Sequence, residues 1–140
     1  LNLDNLPPYL KSLSEVTFEW GVHDCLTFTN SAWHEMYGHG WADDWLGRYL
    51  TDGKPMNRSQ LQEEFGYESF YDAVDSRLSR VEGIPPRGAL VATKRAKRWA
   101  IGSALGISTG LKGAFVSSEG LTYLPLEEFD RAWIEDNNNG

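Results

Sequence analysis

A second cysteine is missing from this 140-residue chain, as are a long apolar run and a surplus of positive charge. One Cys, at position 25, excludes an internal disulfide and a multi-thiolate metal site. Such a chain fits a reducing compartment, or a particle assembled in one. No apolar run approaches the ~18 residues that mark a membrane-spanning helix. The polar opening Leu1-Asn2-Leu3-Asp4-Asn5 does not read as a signal peptide. Thirteen Lys and Arg stand against twenty Asp and Glu, a net charge of −7. That balance argues against nucleic-acid binding, whose affinity comes mainly from phosphate neutralisation. Gly102, Gly106, Gly110 and Gly113 lack the lysine and serine of a phosphate loop and precede no long helix, so no cofactor is expected.

What is present is an ordinary apolar share, 41%, rich in rings: six Trp, six Tyr and six Phe. The length suits one domain with a real core. Asp24 is a good N-cap, because its carboxylate can accept from the unpaired amides of a first helical turn. Behind it Cys25, Phe28, Thr29, Ala32, Trp33 and Met36 form one stripe of an amphipathic helix ending near Gly38-His39-Gly40. Cys25 then sits in the first turn, where the helix dipole favours a thiolate.

Ahead of this, Leu6-Pro7-Pro8-Tyr9 with Leu10, Leu13 and Val16 predicts a short helix with proline in its first turn. Trp41 to Tyr49 has no clean period and predicts a compact aromatic loop or single helical turns. Asn57-Arg58-Ser59 opens a helix through Phe65 that Gly66 interrupts, and Phe70, Ala73, Val74 and Leu78 mark another. At Gly83-Ile84-Pro85-Pro86-Arg87-Gly88 the character changes to short apolar runs separated by Gly. Strands are expected at 89–92, 103–109, 113–117 and 121–124, with Ser118-Glu119-Gly120 as a hairpin turn. A last helical turn is expected at Pro125 to Phe129, before Arg131-Ala132-Trp133-Ile134. Helices first and antiparallel strands second is an α+β order. The organisation read here is a helix and lead-in over 1–17, one domain over 18–135 and a frayed tail over 136–140.

Phe18-Glu19-Trp20-Gly21 with Asp24-Cys25, Gly47-Arg48-Tyr49, Arg87-Gly88-Ala89-Leu90-Val91, Ala104-Leu105-Gly106-Ile107, Gly120-Leu121, Leu124-Pro125-Leu126 and Ala132-Trp133 occur in an order that carries a resemblance. The chain resembles small phage and prophage tail proteins related to the NlpC-type branch of the papain-like cell-wall cysteine peptidases. The resemblance implies an NlpC-like fold, N-terminal helices on a small antiparallel sheet, with Cys25 packed against the strands of 89–92 and 103–109. It implies a tail-tip or baseplate protein made in the host cytoplasm and carried in the virion, with other tail hub proteins as partners. Peptidoglycan is the substrate if the thiol works. The sequence also departs from active relatives. Their Gly-Asp is Gly88-Ala89 here, their catalytic His falls at Ala104 after Ser103, and Ala114-Phe115-Val116 supplies no third polar residue, Ser117 being nearest. A thiol without a partner cannot protonate a leaving amine. The reading is an inactive structural or accessory tail protein; the alternative is an active cell-wall endopeptidase using Cys25.

Cys25 thus reads either as a nucleophile or as a buried structural thiol, free Cys being among the most buried residue types. His23, two residues before it, is the candidate substitute base. His34 and His39 read as surface or capping residues, and no histidine spacing makes a metal site. Trp41, Trp45 and Tyr49 form a glycan platform, an interface anchor or a cluster under a loop. Lys94, Arg95, Lys97 and Arg98, close in sequence to Arg87, form a solvated hairpin loop or an electrostatic contact for an acidic neighbour, with nucleic acid third.

Overall fold

Three of the four helices start at a side chain that caps their first turn. Asn57 and Asp24 both close capping boxes, with Gln60 and Thr27 answering their own backbone amides, and Ser69 accepts from Asp72 N–H. The resulting helices are α1 (Leu6–Ser12), α2 (Cys25–Tyr37), α3 (Arg58–Phe65) and α4 (Phe70–Asp75). Gly38 ends α2 at φ 82°, a left-handed position that glycine takes without steric cost. The protein's structure is a computed structural model that describes residues 1–93 and 105–136.

The strands are β1 (Leu50–Thr51), β2 (Lys54–Pro55), β3 (Ser79–Arg80), β4 (Leu90–Thr93), β5 (Leu105–Ser108), β6 (Lys112–Ser117), β7 (Gly120–Pro125) and β8 (Phe129–Ile134). β1 and β2 form a hairpin across Asp52-Gly53, both at positive φ, the geometry of a two-residue turn that suits strand twist. The other six make one antiparallel sheet in the order β3-β8-β4-β5-β6-β7. The class is α+β, as expected. β8 is the departure: the segment read as chain after a helical turn is a strand inserted between β3 and β4, pairing Trp133 with both Arg80 and Leu90. The expected turn is a short 3-10 segment, Leu126–Glu128, just ahead of it.

α2 lies on β5 and β6. Its whole predicted stripe is buried, and it packs with Leu90 and Ala92 of β4, Leu105 and Ile107 of β5, Ala114 of β6 and Trp133 of β8. Leu6 and Leu10 of α1 belong to the same core. Val91, Phe115, Leu124 and Ala132 alternate onto the other face, where Val81 and Phe129 cover them. β4 is therefore buried on both sides. Gly106 lets β5 and β6 approach: a Cβ there would meet Ala114 O and lie 2.6 Å from Phe115 Cδ1.

Candidate functional site

The start of α2 is organised by Asp24, which is fully buried. Its Oδ1 accepts from Leu26 N–H at 3.0 Å and Thr27 N–H at 2.9 Å, and its Oδ2 accepts from Gly21 N–H at 2.8 Å and from the Tyr49 hydroxyl. Four donors on one carboxylate meet the condition for burying such a group. They tie together the turn at Gly21, the first turn of α2 and the loop that ends at Tyr49.

Cys25 follows directly and is 4% exposed. The expected thiolate is corrected by this environment. Burial, and then the charge of Asp24, push the thiol up to about 12, against smaller opposing contributions from backbone groups at Leu105, Cys25 and Leu26. The helix dipole is outweighed because removing a thiolate from water costs more than half a charge at a helix end returns. The same surroundings raise the Tyr49 phenol far above its ordinary range, burial first and then its bond to Asp24.

Among the described residues no hydrogen bond joins His23 to Cys25. The imidazole is buried, its Nε2 has no hydrogen-bond partner, and it rests edge-on against Phe28 with ring centroids 6.1 Å apart. Burial holds its pKa below the usual 6.5, although neighbouring Asp24 pulls the other way. Among the described residues the other two histidines are engaged elsewhere: His34 Nε2 with Asp43 at 2.7 Å, His39 Nε2 with Glu135 at 3.2 Å. Ser117, the nearest candidate third member, donates to Gly120 O and belongs to the β6–β7 turn. Ser103 and Ala104, where the resemblance puts the base, lie outside the described residues.

The aromatic cluster is corrected as well. Trp41, Trp45 and Tyr49 are buried at 5%, 3% and 1% exposure and pack in the main core, so they present no ring face to a glycan or a partner. The pattern concealed this because Arg77 seals them from outside: it forks onto Asp44 with two bonds of 2.6 Å and lies 4.0 Å above the Trp45 ring. Trp41 Nε1 finds a partner in Thr29 Oγ1. A second knot holds the loop to α2, where Asn30 donates to Asp43 and accepts from Ala42 N–H. Gly40 lies against both Asn30 and Asp43, leaving no room for a Cβ.

Lys94, Arg95, Lys97 and Arg98 lie outside the described residues. Arg87 lies just ahead of β4. An open cleft of about 730 Å³ lies beside Arg87, lined also by Leu3, Tyr37, His39, Ile134 and Glu135. Those residues flank the C-terminal end of α2, a helix of 13 residues and so ~20 Å long, whereas Cys25 is at its other end. The cleft and the thiol are separate features. Among the described residues no group of three or more His, Cys, Asp or Glu is placed to hold a metal, and no helix is long and apolar enough to cross a membrane.

Residues 3–134 match a family described as a domain of unknown function, DUF6950, and the chain belongs to that family. The match runs from the turn ahead of α1 to the last residue of β8, so the helical half and the sheet belong to one family unit. None of the curated proteins matches the chain.

Proposed function

We propose that this protein is a structural or accessory subunit of a phage tail tip or baseplate, built on an NlpC-like, papain-related fold that no longer cleaves. The observation that carries the loss of cleavage is the state of Cys25. A thiol at the start of a helix, packed toward a strand of an antiparallel sheet, suits a papain-like ancestry. Burial and the charge of Asp24, however, hold its pKa well above that of an ordinary thiol, which keeps it protonated at neutral pH. Among the described residues no imidazole hydrogen-bonds it, and its Asp24 neighbour disfavours the charged form. Peptide hydrolysis needs both an activated nucleophile and a proton for the leaving amine.

The tail assignment is supported by the sequence resemblance and by the charge pattern. An acidic chain with a concentrated basic run at Lys94, Arg95, Lys97 and Arg98 suits docking onto an acidic face of a neighbouring hub subunit, where complementarity fixes register. The protein would be made in the host cytoplasm and retained in the virion.

Two measurements test this. Incubation with peptidoglycan stem peptides should release no new amines above background; cleavage that Cys25→Ala abolishes would overturn the inactive reading in favour of an endopeptidase. Particles assembled in the host should retain the protein with their hub proteins. A protein found only free in the cytosol, ignoring those hub proteins, would remove the tail assignment.

A further inference from the structure

We propose that the cleft at the C-terminal end of α2 binds a small apolar monocarboxylate, with Arg87 as its anchor. The anchor stands on a fixed turn. Ala89 N–H donates to Pro86 O at 3.1 Å and Gly88 has φ 92°, so Pro86 to Ala89 is a type II turn with Arg87 at its second position. Two bonds of 2.8 Å, Gly88 N–H to Ser108 O and Ser108 N–H to Ala89 O, fasten that turn to the end of β5. Leu3 packs directly on it, since a Cβ at Gly88 would lie 2.8 Å from Leu3 Cδ2.

The charges in the cleft are unevenly answered. Glu135 Oε2 accepts from Trp33 Nε1 at 3.0 Å and pairs with His39 Nε2 at 3.2 Å, while His39 Nδ1 faces Gly40 O at 3.0 Å. Asp136 is engaged as well. Arg48, Arg77, Arg80 and Arg131 each pair with a carboxylate. Among the described arginine side chains Arg87 alone has none, although Glu135 and Asp136 line the same cleft. Tyr37 adds a second donor. Its ring is held near Trp33 and His39, centroids 5.1 and 6.0 Å away, and its hydroxyl has no partner among the described residues. Burial, and then the charge of Glu135, raise its pKa, which keeps the phenol protonated.

The cleft therefore offers a guanidinium and a hydroxyl without an acceptor. A carboxylate matches the guanidinium fork. Leu3, Ala89 and Ile134 supply apolar surface for the body behind that carboxylate. Glu135 and Asp136 limit the charge, because a second negative group would meet like charge on the same wall. The volume, about 730 Å³, falls within the ~300–1,000 Å³ of small-ligand sites.

The test titrates isocaproate into the isotope-labelled full chain at neutral pH and follows the backbone amides by nuclear magnetic resonance. Leu3, Tyr37, Ala89 and Ile134 should shift saturably, with a Kd on the order of millimolar for so small a ligand. Isocaproamide, of the same shape without the charge, should bind at least about fivefold more weakly, and Arg87→Gln should weaken isocaproate by a similar factor and erase its advantage over the amide. Adipate, with a second carboxylate, should also bind more weakly than isocaproate. The proposal is overturned if the cleft amides do not shift, if acid and amide bind equally, or if adipate matches isocaproate. Unchanged affinity in a folded Arg87→Gln protein overturns it too, as do shifts gathered at Leu26 and Thr27, at the other end of α2.

Discussion

Tyr49 donates its phenol to Asp24 across 25 residues of chain, and both side chains are buried, Asp24 at 0% and Tyr49 at 1% exposure. The bond joins a helix cap to the end of a loop whose start is held by Asn30 at Asp43 and Ala42 and by Arg77 at Asp44. It also explains why an acidic side chain can sit beneath the thiol without opening the core.

Tyr49→Phe should therefore cost more than an average buried hydrogen bond, because the carboxylate loses one of four donors while remaining in place. Urea melts should show a loss of about 1–3 kcal/mol. Combined with Asp24→Asn, the two effects should be non-additive by at least about 0.5 kcal/mol, since both act on one bond. Strict additivity would mean the pair is not coupled.

Alkaline pH should unfold the protein in a Cys25-dependent way. An ordinary thiol ionises near 9.0, and folding raises this one to about 12. A pKa raised by folding contributes stability below the unfolded value and loses it as pH rises, so the decline falls between about 9 and about 12. Its slope approaches ~1.4 kcal/mol per pH unit for this group alone. Cys25→Ala should flatten that limb, leaving the share that belongs to Tyr9, Tyr37 and Tyr49, whose phenols burial also raises. Equal slopes in the two proteins would refute a buried, protonated thiol.

Gly106→Ala should destabilise by about 1–3 kcal/mol through overpacking between β5 and β6. Its Cβ would press on Ala114 O and the Phe115 ring, and the pleated backbone cannot yield as a side chain would. Gly53→Ala, where nothing lies near the added methyl, tests strain without crowding, so a smaller loss there separates the two causes.

Charge reversal at Arg95, Lys97 and Arg98 should weaken retention in assembled particles more than Cys25→Ala does, measured by the amount of protein that stays with purified tails. The reverse order would shift attention from the basic run to the thiol pocket.

Local chemistry made the helices readable. Asp24, Asn57, Gly38 and Gly66 punctuate them within a few residues, and the α2 stripe is buried as its spacing predicts. α4 stops at Asp75, short of the buried Leu78, because burial of an apolar residue does not require it to be helical, and the exposed Val16 lies beyond α1. Asp52-Gly53 is a hairpin signal in the stretch between the aromatic loop and the Asn57 helix, to which the sequence reading assigns no element. β8 had no local cue strong enough to place it: its alternation of Phe129, Arg131 and Trp133 is visible, but its partners are more than 30 residues upstream. The site divides along the same line. The Asp24 cap and the position of Cys25 at the helix start follow from neighbours in sequence. The thiol's protonated state, the burial of Trp41, Trp45 and Tyr49, and the idle nitrogen of His23 arise from groups that only tertiary packing brings near.

The place of β8 has a consequence for how the chain is made. Synthesis runs from the N-terminal side toward the C-terminal side, so β3 and β4 emerge from the ribosome with the slot between them vacant. Their facing amides and carbonyls stay wet until residues 129–134 arrive to fill it. Trp33, too, waits for Glu135, 102 positions later, to satisfy its indole nitrogen. Helices can form early, but the sheet locks only once β8 has emerged. Nascent chains arrested before Phe129 should therefore be protease-sensitive and should engage chaperones that full-length chains have already left behind.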